Sequence, residues 1–99
     1  MTDSYASGNW HVQQGKQDEF VERWSEFLQD ARKGQPALVS AQLIRDEVDT
    51  AHFLSVSQWE SAEAREAWKQ SAGFQERFQA CQAVCDRFES SDYQPAVNI

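Results

Sequence analysis

Cations are scarce in this chain: nine Lys and Arg stand against sixteen Asp and Glu in 99 residues, a formal net charge of −7. No stretch gathers the cations into a patch that could neutralise a phosphate backbone, which argues against nucleic acid and anionic membrane as partners. Long apolar runs are also missing. None approaches the roughly 20 residues that a membrane span requires, and the opening Met1-Thr2-Asp3-Ser4 has neither a basic nor an apolar leader region. A cytoplasmic protein is expected. Cysteine is limited to Cys81 and Cys85, which fall inside a helical apolar pattern rather than a loop framework and are read as reduced. They lie one turn apart, with no His or further Cys nearby in sequence to complete a metal site. Structural thiols and no metal are the expectation.

Apolar residues make up 40% of the chain and aromatics 12%, too many for a disordered segment. The length leaves room for one domain, 1–99 with a core over about 5–98, and no linker. A domain of this size buries only roughly 60–65% of the surface that its unfolded chain exposes, so a second subunit adds useful burial.

Periodicity orders the elements. Residues 5–13 alternate, with Tyr5, Ser7, Asn9 and His11 on one face and Ala6, Gly8, Trp10 and Val12 on the other, which predicts a strand ended by Gly15. Phe20, Trp24, Phe27, Leu28 and Ala31 follow at helical spacing. Asp18 and Glu19 precede them, and Arg32, Lys33, Gly34 and Pro36 close the segment, so a helix is predicted over 16–33. Residues 38–45 and 51–58 read as strands joined by the polar tip 46–50, and should pair antiparallel. On the second of these, Phe53, Ser55, Ser57 and Trp59 share one face and His52, Leu54 and Val56 the other, so both faces need cover. Ser61 is placed to cap a short helix through Ala64, Ala67 and Trp68 that Gly73 interrupts. Phe74, Phe78, Cys81, Cys85 and Phe88 then recur at steps of three and four, predicting a third helix. The tail 93–99 is left to supply the last strand, beginning or lying at an edge because Pro95 has no amide hydrogen.

This order describes an α+β, ferredoxin-like split βαβ sandwich with an antiparallel sheet and helices on one face. The other face still carries apolar side chains, which a symmetric partner offering its own sheet would cover.

The stretch Ser55-Val56-Ser57-Gln58-Trp59-Glu60-Ser61-Ala62-Glu63-Ala64, with Ala67-Trp68-Lys69-Gln70-Ser71 and Phe74, resembles the antibiotic-biosynthesis-monooxygenase family. Gly15-Lys16, Phe20, Trp24 and Leu43-Ile44-Arg45-Asp46 are similar in the same order, so the likeness spans almost the whole chain. It implies a homodimer of the dimeric α/β-barrel type and, for the cofactor-free members, oxidation of polycyclic phenols to quinones. Those members carry a Trp in a Gln-Trp-Glu-Ser context, matched by Trp59. They place an Asn four residues before it and a Tyr six after, where this chain has Ser55 and Arg65. Haem-degrading members use a first-strand Asn, which Asn9 approaches within about one residue, a helical Trp that Trp68 matches, and a His ten residues beyond it. That last position is Phe78 here, so the usual iron ligand is missing.

Cofactor-free oxygenation of a small aromatic with dioxygen needs a base, donors for an oxyanion and apolar walls. His11 and His52 are the side chains suited to a base near neutrality. Asn9 shares a strand face with His11, about 7 Å away along the strand. The expected site therefore has Asn9, His11 and Trp59 as catalytic residues, and Trp68, Phe74, Phe78, His52 and Arg65 around the substrate, with no cofactor. The plainer reading gives the same histidines ordinary surface or interface roles and makes Trp59, Trp68 and Phe78 core. On that reading the protein is a non-catalytic small-molecule-binding or stress-associated module.

Overall fold

A computed structural model describes residues 3–99. In chain order the elements are β1 (Ser4–Val12), α1 (Gln17–Gly34), β2 (Leu38–Arg45), β3 (His52–Trp59), α2 (Ala62–Lys69), α3 (Ala72–Gln82) and β4 (Cys85–Tyr93). The strands form one antiparallel sheet in the order β2-β3-β1-β4, the ferredoxin-like arrangement expected from the sequence. No helix among the described residues is long and apolar enough to cross a membrane.

The first helix forms for the reasons its sequence states. Asp18 and Glu19 sit in its first turn and Arg32 and Lys33 in its last, each complementing the helix dipole. Phe20, Phe27 and Ala31 are buried, and Trp24 and Leu28 pack beside them. Gly34 stays helical rather than turning left-handed; the chain leaves the helix at Gln35, φ −130° and ψ 86°, because Pro36 disfavours a helical residue before it. The β2–β3 tip is held by Asp46, whose Oδ1 accepts the amides of Val48 at 2.8 Å and Asp49 at 3.1 Å. Those two amides, and then His52, hold the Asp46 carboxyl below the usual carboxylate range.

The third helix and the tail depart from expectation. Ser61 caps α2 as predicted, its Oγ accepting the Ala64 amide at 3.1 Å, but the break before α3 falls at residues 70–71, where Ser71 Oγ donates to the Trp68 carbonyl at 2.6 Å. Gly73 lies inside α3 and lets it approach α1, since a Cβ there would stand 3.1 Å from Asp30 Oδ2. Cys85 and Phe88 are not helical. They belong to β4, which takes the sheet edge expected for the tail, while Val97 and Ile99 are exposed beyond it. The steps from Phe74 to Cys81 are helical, whereas the inward positions of β4 are Phe88, Ser90 and Asp92, a period of two. Pairing with all of β1 outweighs the local pattern. Where Val12 meets Cys85 and His11 meets Arg87, Asp86 is the extra residue of a bulge.

Candidate active site

Small side chains on the helix-facing side of the sheet make room for the site. In register, Gly8 of β1 lies between Ser55 of β3 and Ser90 of β4, and Ala6 lies between Ser57 and Asp92. The next rung toward one end is aromatic, Phe53, Trp10 and Phe88, with the Trp10 and Phe88 rings 4.1 Å apart. Trp59, opposite Ser4, closes the other end. Helices spanning these two shallow rungs leave a cavity of about 260 Å³. Its walls are Trp24, Phe27 and Leu28 of α1, Trp68 of α2, Phe74 and Phe78 of α3, and Phe88.

The ring geometry makes the wall continuous. Phe74 stacks on Phe78 at 5.1 Å, Trp68 meets Phe74 edge-on at 4.8 Å, and Phe27 lies 5.3 Å from Trp68. Two hydroxyls of the floor are engaged by indoles: Trp10 Nε1 donates to Ser55 Oγ at 2.9 Å, and Trp59 Nε1 donates to Ser57 Oγ at 2.9 Å. Gly8 is required by close approach, because a Cβ there would meet Phe88 Cε1 and Trp10 Nε1 at 2.7 Å and Ser55 Oγ at 2.9 Å. Lys69 and Asp92 are the charged residues of the lining, at its mouth, with Lys69 Nζ 2.7 and 2.8 Å from the two Asp92 oxygens.

Of the residues expected around a substrate, Trp68, Phe74 and Phe78 line the cavity. Trp59 does not. It is fully buried and stacks behind Trp68 at 4.8 Å. Arg65 lies beside the mouth, donating to Ser4 Oγ and Glu66, with Nε 3.6 Å from Asp92 Oδ1. Asn9, His11 and His52 are on the opposite face of the sheet, which corrects the picture of one pocket holding them together with the aromatic walls. Odd and even residues of a strand point to opposite sides, and Gly8 and Trp10 are the ones directed at the helices.

On that outer face the three form a cluster of their own. His52 Nε2 lies 2.8 Å from Asn9 Oδ1, and His52 Nδ1 lies 3.2 Å from Asp46 Oδ2. The His11 and His52 rings stack at 4.7 Å and 9°. His11 Nε2, 3.0 Å from Arg87, accepts there, because a guanidinium has no lone pair to offer.

Sequence reasoning passed over Gly8, Ser55, Trp10, Trp24, Phe88, Lys69 and Asp92. The signal for the floor was present: Ala6 and Gly8 on β1 and Ser55 and Ser57 on β3 are consecutive inward positions, too small to fill a sheet-helix interface. Phe88 and Asp92 were hidden by the helical reading of their segment. Cys81 and Cys85 are both thiols, with Cys81 fully buried. Burial pushes Cys81 up to about 12 and Cys85 up to about 11. Among the described residues no group of three or more His, Cys, Asp or Glu is arranged to hold a metal ion.

The fold has close counterparts. SnoaB, a cofactor-independent oxygenase from Streptomyces nogalater, superposes with a TM-score of 0.90 at 16% identity, covering 100% of this chain and 98% of that one. A protein of Caulobacter crescentus proposed to be an antibiotic biosynthesis monooxygenase superposes with a TM-score of 0.87 at 13% identity, over 97% of this chain and 92% of that one. A conserved protein of Methanosarcina mazei gives 0.85 at 15% identity, over 94% and 92%. No curated protein matches the chain by sequence. Residues 5–83 match the family described as antibiotic biosynthesis monooxygenase, from the first strand through α3. With most of its length so matched and the sheet order, helices and aromatic cavity in place, the chain belongs to the antibiotic biosynthesis monooxygenase family.

Proposed function

We propose that the protein is a cofactor-independent monooxygenase that oxidises an aromatic, phenolic or quinol-like small molecule held in the sheet-helix cavity. The observation that carries this reading is the cavity itself: about 260 Å³, walled by aromatic rings and floored by Gly8 and Ser55. That is slightly below the roughly 300–1,000 Å³ of most ligand pockets, and suits a flat molecule of few rings. In the reaction a phenol gives its hydroxyl proton to Asp92, the carboxylate of the lining, so that the cluster and its bound substrate together gain no net charge, and the electron-rich anion beside Lys69 passes one electron to dioxygen. The two radicals join through a new C–O bond. Cleavage of the O–O bond, with loss of the ring C–H proton, releases one oxygen as water and leaves the other as the quinone carbonyl. The substrate is oxidised by two electrons beyond the inserted oxygen atom's share, and dioxygen is the sole oxidant. Aromatic walls keep bulk water away from the radical pair and so limit side reactions.

The second reading, a binding module without turnover, is favoured by one observation: neither imidazole lines the cavity. Oxygen-electrode recordings with a panel of phenols and quinols separate the two. Substrate-dependent oxygen consumption with quinone formation is expected, and binding without consumption leaves only the module. The protein is read as a cytosolic homodimer, its second copy covering the outer sheet face, where Ile44 and Tyr93 are about half exposed and Leu54 and Val56 are partly buried.

A further inference from the structure

The cavity mouth holds four interlocked charges. Lys69 Nζ touches both oxygens of Asp92 and lies 3.6 Å from Glu66 Oε2. Arg65 Nε lies 3.0 Å from Glu66 Oε2 and 3.6 Å from Asp92 Oδ1. Two cations and two anions leave the cluster with no net charge. Lys69 and Asp92 are the pair that also lines the cavity.

We propose that Lys69 and Asp92 form a recognition site for one uncharged aromatic hydroxyl, whose ring lies inward over Gly8. This rests on the reading of the cavity as an aromatic-binding pocket and adds the group that it selects. A hydroxyl both accepts and donates. Seated between Nζ and the carboxylate, it takes an N–H from Lys69 and gives its O–H to Asp92, so that neither charge loses a partner. Lys69 keeps Glu66 and Asp92 keeps Arg65 while their own contact opens. An ether accepts from Lys69 but has no hydrogen for Asp92, which then exchanges its short Lys69 contact for nothing and is left with Arg65 alone at 3.6 Å. A carboxylate ligand brings a third negative charge beside Asp92 and Glu66 with no spare cation to meet it. Deeper in, Ser57 Oγ accepts from Trp59 and donates to the Ala6 carbonyl, and Ser55 Oγ accepts from Trp10 with its O–H left over, so the charged contacts come from the mouth.

Fluorescence titration with 1-naphthol, 1-methoxynaphthalene and 1-naphthoate tests this in the parent protein and in Lys69→Met, Lys69→Arg and Asp92→Asn. The parent should bind 1-naphthol about tenfold or more tightly than either competitor, the scale of a charge-assisted hydrogen bond. In Lys69→Met the ratio of naphthol to methyl-ether affinity should fall to within about twofold, with an unchanged melting temperature reporting an intact fold. Lys69→Arg should keep most of the preference, and Asp92→Asn should narrow it. A preference for naphthol that survives Lys69→Met overturns the proposal, as does tightest binding of naphthoate or equal binding of ether and naphthol in the parent. Selective naphthol binding without oxygen uptake leaves this recognition site standing and removes the oxygenase. Failure of all three probes to bind removes the pocket reading and this inference together.

Discussion

The indole N–H of Trp10 reaches Ser55 Oγ at 2.9 Å by passing over Gly8, the residue that faces Ser55 across the β1–β3 ladder. The missing side chain at Gly8 is therefore what lets a tryptophan lie flat along the cavity floor. Gly8→Ala would place a Cβ within 2.7 Å of both Trp10 Nε1 and Phe88 Cε1. We expect a loss of about 1–3 kcal/mol in urea unfolding, typical of overpacking, and weaker aromatic binding. Unchanged stability would mean that Trp10 moves aside freely and that the floor is softer than described.

Trp59 and Ser57 test the far end of the cavity. Trp59 is fully buried, donates to Ser57 Oγ and backs Trp68. Trp59→Ala should cost about 3–5 kcal/mol. Ser57→Ala should cost about 1–3 kcal/mol by leaving a buried indole N–H without an acceptor. Equal stability of Ser57→Ala and the parent would show that the indole finds another partner.

The outer-face cluster predicts a separation of effects. Asn9→Ala and His11→Ala remove the His52 Nε2 partner and one ring of the stacked pair, at least one strand thickness from the cavity. Ligand binding in the cavity should be unchanged within about twofold. The parent should sediment as a dimer at micromolar concentration, and these two variants should already dissociate at concentrations where the parent stays dimeric. Loss of cavity binding in either variant, with the dimer intact, would show that the two faces communicate.

Both cysteines should resist alkylation in the native state, because little thiolate forms at neutral pH when burial has raised Cys81 to about 12 and Cys85 to about 11. The linkage has a definite sign. The folded-state values lie above the ordinary value of 9.0, so the unfolded chain releases these protons first. The contribution to stability is full below pH 9 and is lost as pH rises toward 11 and 12. Cys81→Ala and Cys85→Ala should each flatten the fall in melting temperature over that alkaline range. Rapid labelling of native protein by iodoacetamide at pH 7.5 would contradict the burial argument.

Local patterning determined α1, the β2–β3 hairpin and the capped start of α2, because Phe20 to Ala31, the Asp46 turn and Ser61 each act within a few residues of themselves. It also determined which side of β1 any residue takes: the separation of Asn9 and His11 from Gly8 and Trp10 follows from alternation alone. What lies opposite each side is a different matter. The fate of residues 85–93 was decided by the whole length of β1 offering a partner edge, against a pattern of Cys81, Cys85 and Phe88 that suits a helix locally. The cavity was decided the same way. Ala6, Gly8, Ser55, Ser57 and Ser90 are small residues from three strands, and they form one floor only when antiparallel pairing sets their register. Lys69 and Asp92, 23 residues apart in sequence, meet at its mouth because α2 and the edge strand converge there, a contact that local spacing does not encode.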